Sequence, residues 1–176
     1  SNYITISYVL FGDVWLCSGQ SNMEINFERL KDKYPDIVKS AINPNIRQFY
    51  APRTYNFNTP QQDFSSGSWK EVHPDHIKQF SGVAYFFASY IYEKEKIPIG
   101  LINNAVGGAP VQAWLNETAL KKFPEYLAEA MLYKNQKHID SINAYNEKTN
   151  KIWFQQLNNS DEGLKNNWHQ TGINRA

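Results

Sequence analysis

Apolar residues first gather along residues 9–17, a stretch interrupted by Gly12-Asp13 and closed by Ser18-Gly19. Within it Val14-Trp15-Leu16-Cys17 is continuously apolar, which predicts a strand buried on both faces at the centre of a parallel sheet. Residues 22–30 and 34–41 read as short helices, the second with Pro35 near its start, and Ile46-Arg47-Gln48-Phe49-Tyr50 reads as a strand closed by Pro52. Residues 51–79 read as loop, because Pro52, Pro60, Ser65-Ser66-Gly67-Ser68 and Pro74 break every long period. From Ser81 the period turns helical, with Val83, Ala84, Phe87, Tyr90 and Ile91 on one face, and leads through residues 93–96 to a strand, Ile97-Pro98-Ile99-Gly100-Leu101-Ile102. A helix feeding directly into a second apolar strand is the grammar of a doubly wound α/β sheet.

Beyond Gly107-Gly108 the pattern is helical again over residues 111–114, and Asn116 is placed to cap a helix through Lys121. Residues 124–157 carry Leu127, Met131, Ile139, Ile142, Tyr145, Ile152 and Trp153 among polar neighbours, the spacing of a long amphipathic surface helix. Residues 158–176 have no convincing period. The division expected is therefore a domain over residues 1–157, followed by a polar tail or the start of an insertion.

Composition narrows the class. At 176 residues the chain is about one ordinary domain, and 41% hydrophobic with 20% charged residues excludes a disordered or fibrous protein. The 18 Lys+Arg nearly cancel the 17 Asp+Glu, and neither half is charge-biased, so no nucleic-acid partner is expected. No apolar run approaches the ~20 residues of a membrane helix, so no membrane partner is expected either. Ser1-Asn2-Tyr3 lacks a signal pattern, which fits a cytoplasmic chain or a processed one. A single Cys17 excludes an internal disulfide and a Cys-based zinc site.

Candidate chemistry lies in two glycine turns. In Gly12-Asp13-Val14-Trp15-Leu16-Cys17-Ser18-Gly19-Gln20-Ser21-Asn22-Met23 a strand runs into a tight turn, and Ser21 stands where a helix begins. This exposes a hydroxyl at the carboxyl end of a parallel strand, where α/β folds place ligands, and aims helix N–H groups at negative charge forming there. Met23 stands where a Gly-x-Ser-x-Gly elbow would have its second glycine, and the plainer reading of Ser21 is a helix N-cap. The second turn, Ala105-Val106-Gly107-Gly108-Ala109-Pro110, follows a strand that ends at the same sheet edge. Its bare backbone can approach an oxyanion, where one donor is worth about 3 kcal/mol of transition-state stabilisation. Together the turns make an acyl-transfer site coherent.

These blocks, with Phe80-Ser81-Gly82-Val83-Ala84-Tyr85-Phe86-Phe87 between them and Gly-Gly-x-Pro-x-x-Ala-Trp ending at Trp114, closely resemble the sialate O-acetylesterase branch of the SGNH hydrolases. The resemblance runs in order from Ile4 to Trp114. It implies a flavodoxin-like, three-layer α/β/α fold with a parallel sheet, here incomplete, and metal-free, cofactor-free hydrolysis of acetyl esters on sugars such as sialic acid. Carried over, Ser21 is the nucleophile, the N–H groups of Ser21 and Gly108, in the Gly107-Gly108 turn, are oxyanion donors, and Gln20 and Asn22 shape the substrate pocket. Ala109 and Gln112 depart from the Thr and Glu of that branch, which touches substrate contacts more than fold. The branch is commonly periplasmic or secreted, or lysosomal or extracellular in eukaryotes; the oligomeric state is open.

A serine nucleophile needs a base, normally His oriented by a carboxylate. In SGNH enzymes that pair forms an Asp-x-x-His block, and none of His73, His76, His138 and His169 has Asp three residues before it. His73-Pro74-Asp75-His76 is the nearest approximation, though adjacent Asp75 and His76 are poorly placed to orient one another. The expectation is a nucleophile half whose base lies in further sequence, weak or inactive by itself. An acetylxylan or other polysaccharide esterase stays open as an alternative. So does a non-catalytic carbohydrate-binding fragment using Trp69, Tyr85, Trp114 or Trp153, although core packing is the plainer use of those aromatics.

Overall fold

A computed structural model describes residues 3–168, which fall into two units, one ending at Asn116 and one starting at Glu117. The first unit runs β1 (Asp13–Gly19), α1 (Ser21–Glu24), α2 (Phe27–Leu30), α3 (Pro35–Ser40), β2 (Asn43–Tyr50), β3 (Trp69–Val72), α4 (Pro74–Ile77), α5 (Gly82–Glu95), β4 (Ile99–Ala105) and a 3-10 turn at Val111–Trp114. Its sheet has the order β1-β4-β2-β3. β1 and β2 both run parallel to β4, in the registers Asp13↔Ile99 to Gly19↔Ala105 and Ile46↔Ile99 to Tyr50↔Asn103. The α/β architecture is thus present with an open sheet, and its parallel character holds for three strands. β3 departs from it, lying antiparallel on the outer side of β2.

One face of this sheet carries the core. Ile46, Val72, Ile99 and Leu101 are fully buried beneath Phe27, Ile77 and Phe80. Helix α5 meets it through Gly82, Ala84 and Ala88 rather than through its large apolar residues; Val83 and Tyr90, expected on the buried face, are exposed. Small residues one turn apart let a helix approach a sheet closely, and the larger side chains are left to flank the contact. Residues 14–17 also differ from expectation. β1 is an edge strand among the described residues, Cys17 alone is buried, and Val14 and Leu16 on the opposite face are 62% and 67% exposed. Trp69, Trp114 and Trp153, read as core, are likewise substantially exposed.

The expected helix over 22–30 is two, because Ile25 leaves the helix and its carbonyl accepts from Gly82 N–H at 2.9 Å. Asn26 then caps α2 and forms an isolated bridge with Ser81. Phe27, fully buried, packs edge-on against Tyr34 and Tyr85 and beside Phe86, while its N–H donates to Phe80 O at 3.1 Å. The segment carrying Ser21 is thereby fastened to the entrance of α5.

Gln48, 3% exposed on β2, makes a second fastening: its Oε1 accepts from Ser81 N–H at 3.0 Å and its Nε2 donates to Gln79 O at 3.2 Å. Ser81 itself caps α5 by accepting from Ala84 N–H. Gln48→Ala strands a buried N–H and is expected to cost about 2 kcal/mol, read as a lower urea midpoint at unchanged slope. An unchanged midpoint would show that the contact contributes nothing.

The second unit contains α6 (Glu117–Leu120), α7 (Pro124–Leu132), α8 (Gln136–Ser160) and α9 (Glu162–Lys165). The single helix expected over 124–157 is broken between Leu132 and Gln136, where Asn135 accepts from Lys137 N–H and starts α8. α8 buries no residue, and Tyr145, Ile152 and Trp153 of the apolar stripe expected there are exposed. The unpatterned region after residue 157 holds the end of α8 and α9, the latter capped by Asp161 on Leu164 N–H at 2.9 Å. His169 lies outside the described residues.

Candidate active site

Two adjacent parallel strands deliver their following turns to one place. β1 ends at Gly19, whose φ of +143° is a conformation that side chains avoid, and Gln20 turns the chain in extended geometry into α1. Gln20 occupies the N-cap position without a side-chain cap, so Ser21 is the first helical residue and not the cap. Its side chain is exposed at the carboxyl edge of the sheet. As the first residue of a helix, Ser21 also has a backbone N–H with no intrahelical acceptor.

The second turn follows β4, beside β1. Val106 N–H donates to Gly19 O at 2.9 Å and ties one turn to the other; Gln20 Nε2, donating to Ala109 O, closes the same junction from above. Ala109 N–H folds back on Val106 O, and Gly108 takes a φ of +79°, the left-handed region that favours glycine. Gly107 is a point of close approach between the two turns. A Cβ there would stand 3.2 Å from Ser21 Oγ and 2.5 Å from Glu24 Oε2.

Glu24, which the sequence reading passed over, is the carboxylate on the wall of the site. Its Oε2 accepts from Gly107 N–H at 2.5 Å, and its Oε1 pairs with Arg53, from the loop after β2. A Ser with Glu three residues on is a recognised helix-start signature in which the carboxylate reaches back to an N–H at the helix entrance. Here Ser21 and Glu24 have that spacing, but the carboxylate reaches across to the neighbouring turn. Nothing in the local sequence marks Arg53.

Ser21, Glu24, Ile25, Asn26, Arg29 and Gly107 line a cavity of about 330 Å³. Of the residues expected in the site, Ser21 and Gly107 lie on its wall. Gly108 follows on the same turn, and Gln20 spends its amide donor joining the turns. Asn22 is exposed on α1 and is not part of the wall. Gly107 N–H is bonded to Glu24, whereas the N–H groups of Gln20, Ser21 and Gly108 have no acceptor among the described residues. Cys17 is no rival nucleophile: it is buried, and desolvation raises its thiol pKa, favouring the inert protonated form.

None of the described histidines lines the cavity. His73 starts α4, its Nδ1 3.3 Å from Asp75 N and 3.2 Å from Asp75 Oδ2, so Asp75 partners His73 rather than His76. The His76 ring lies tilted 5.9 Å from that of His73, with a buried Nδ1 that has no hydrogen-bond partner among the described residues. His138 packs against Tyr133 in the second unit. Among the described residues no group of three His, Cys, Asp or Glu is arranged to hold a metal ion, and no helix is long and apolar enough to cross a membrane.

The profile of a family described as "Carbohydrate esterase, sialic acid-specific acetylesterase" matches residues 11–170. Sialate O-acetylesterases of Rattus norvegicus and Homo sapiens are 32% and 29% identical over 119 residues, 64% of this chain. That alignment covers 22% and 23% of their own lengths, so the chain spans under a quarter of the curated relatives it matches. The crystal structure of a carbohydrate acetylesterase from Xanthomonas citri shares the fold with a TM-score of 0.58 and 35% identity, over 62% of this chain and 25% of that one.

Proposed function

The chain belongs to the sialic acid-specific acetylesterase family of carbohydrate esterases, and from that premise we propose that it carries the nucleophile and oxyanion site of a serine esterase of the SGNH type that removes O-acetyl groups from sialic acid. The observation that carries this reading is Ser21 at the start of α1, against the Gly107-Gly108 turn and open to a cavity. Ser21 Oγ attacks the acetyl carbonyl carbon while its proton passes to a base. The carbonyl oxygen becomes the oxyanion and accepts from the N–H groups of Ser21 and Gly108, donors that cost no reorganisation because the two turns already hold them. Collapse expels the sugar oxygen, which takes the proton back, and leaves Ser21 acetylated; water then releases acetate.

The reading assigns the base to a residue outside 3–168, since no described histidine faces Ser21. It also places the enzyme outside the cytoplasm, in the periplasm or secreted, in keeping with the family resemblance. An aryl organophosphate tests the nucleophile: it should label the intact gene product at the peptide containing Ser21, and labelling elsewhere or none would sink the assignment. Turnover of O-acetylated sialic acid against acetylated xylan, with the same preparation, decides the sugar. Faster release from xylan would replace sialic acid as the substrate, and sugar binding without any hydrolysis would replace the esterase reading by a binding one.

A further inference from the structure

We propose that Glu24 is a positioning residue for this reaction, holding the Gly107-Gly108 turn in register with Ser21 through one carboxylate oxygen while Arg53 holds the other. The proposal rests on the esterase reading of the same site. Three observations converge on it. Gly107, which lies so close to Ser21 that a Cβ on it would stand 3.2 Å from Ser21 Oγ, donates its N–H to Glu24 Oε2 at 2.5 Å. Glu24 lies on the same short helix as Ser21, so a bond from its side chain to Gly107 fixes the second turn relative to the nucleophile itself. Arg53 joins the opposite oxygen through Nη2, a charge-assisted contact that restrains the carboxylate from its other side.

The arrangement divides the labour of the two glycines. Gly107 N–H is given to the brace, and the oxyanion is left to Ser21 and Gly108. Hydrogen bonding to Glu24 also places carboxylate charge beside an incoming oxyanion, which would oppose it; Arg53, paired to the same carboxylate, offsets that charge. A brace of this kind binds the acetylated sugar no better in the ground state than in its absence. Its effect falls on the chemical step.

The amide of Gly107 and the kinetics of the intact gene product test this together. In ¹⁵N-labelled wild type the Gly107 amide proton is expected far downfield, as a donor to a carboxylate. Glu24→Ala should move it upfield and lower kcat by about 100-fold with KM changed less than about threefold. Glu24→Gln keeps an acceptor and should retain most of the shift and all but about tenfold of kcat. Should Glu24→Ala not fold, Arg53→Gln reads the same contact, with a smaller shift in the same direction and a loss of about tenfold in kcat. An unmoved Gly107 amide in the folded variant overturns the brace, as does a loss confined to KM or a kcat left intact. A wild type no faster than Ser21→Ala overturns the esterase reading instead, and the Gly107 amide still decides whether Glu24 holds the turn.

Discussion

Ser21→Ala in the intact gene product is expected to lower kcat on an O-acetylated sugar or p-nitrophenyl acetate by about 10⁴-fold or more, with KM nearly unchanged. Removing a serine nucleophile has an effect of this size because the acyl-enzyme route is lost altogether, while donors that polarise the carbonyl persist and leave about 10³-fold over water. The substitution is gentle structurally. Ser21 is exposed, it is not the helix cap, and alanine is a strong helix former, so α1 is retained. Thermal midpoint and circular dichroism should therefore match wild type. Equal rates for the two proteins, both above buffer, would remove Ser21 from the mechanism.

Phe27→Ala should be the most damaging single change to the fold of the first unit, at about 3–5 kcal/mol. Phe27 is fully buried and touches Tyr34, Tyr85 and Phe86 at ring-centroid distances of 5.2 to 6.1 Å. Truncation removes the transfer free energy of the ring and three aromatic contacts, and leaves a cavity that rings tied to α3 and α5 cannot collapse to fill. A loss of that size is a large share of the stability of a domain this small. The thermal midpoint is expected to fall by more than about 10 °C, and a drop under a few degrees would show that the aromatic cluster repacks. Because Phe27 N–H also reaches Phe80 O just beyond the helix of Ser21, activity should fall faster on warming than in wild type.

The turn carrying Ser21, the Gly107-Gly108 turn and the parallel core of the sheet were legible because each is a local pattern: an apolar strand, a glycine, a helix start. Ser21 and Gly107 follow from that pattern and line one cavity, with Gly108 next on the same turn. β3 was hidden because four residues between a serine-rich segment and Pro74 carry too little period to register, and the residues they pair with on β2 lie twenty or more positions away. The buried face of α5 was misread because apolar periodicity weights large side chains, whereas the sheet selected Gly82, Ala84 and Ala88 for closeness. Residues 14–17 looked central because hydrophobicity does not say how many neighbours a strand has. Glu24 was discoverable from its spacing to Ser21. Arg53, in a loop without pattern, enters the site only through tertiary structure, as long-range ion pairs do.

The in-register pairing of β1 with β4 carries a kinetic implication. Asp13 pairs with Ile99 and Gly19 with Ala105, so the two turns of the site lie at opposite ends of the first unit's sequence. Such a contact closes a very long loop, and long-range pairings form slowly because chain entropy is lost before contacts repay it. During synthesis Ser21 leaves the ribosome well before Gly107 exists, and through that interval it is an ordinary surface serine. Assembly of the two turns thus waits for β4, the last strand in chain order among the described residues, and protection of the Val106 amide, bonded to Gly19 O, in a refolding time course is a direct clock for when β4 docks.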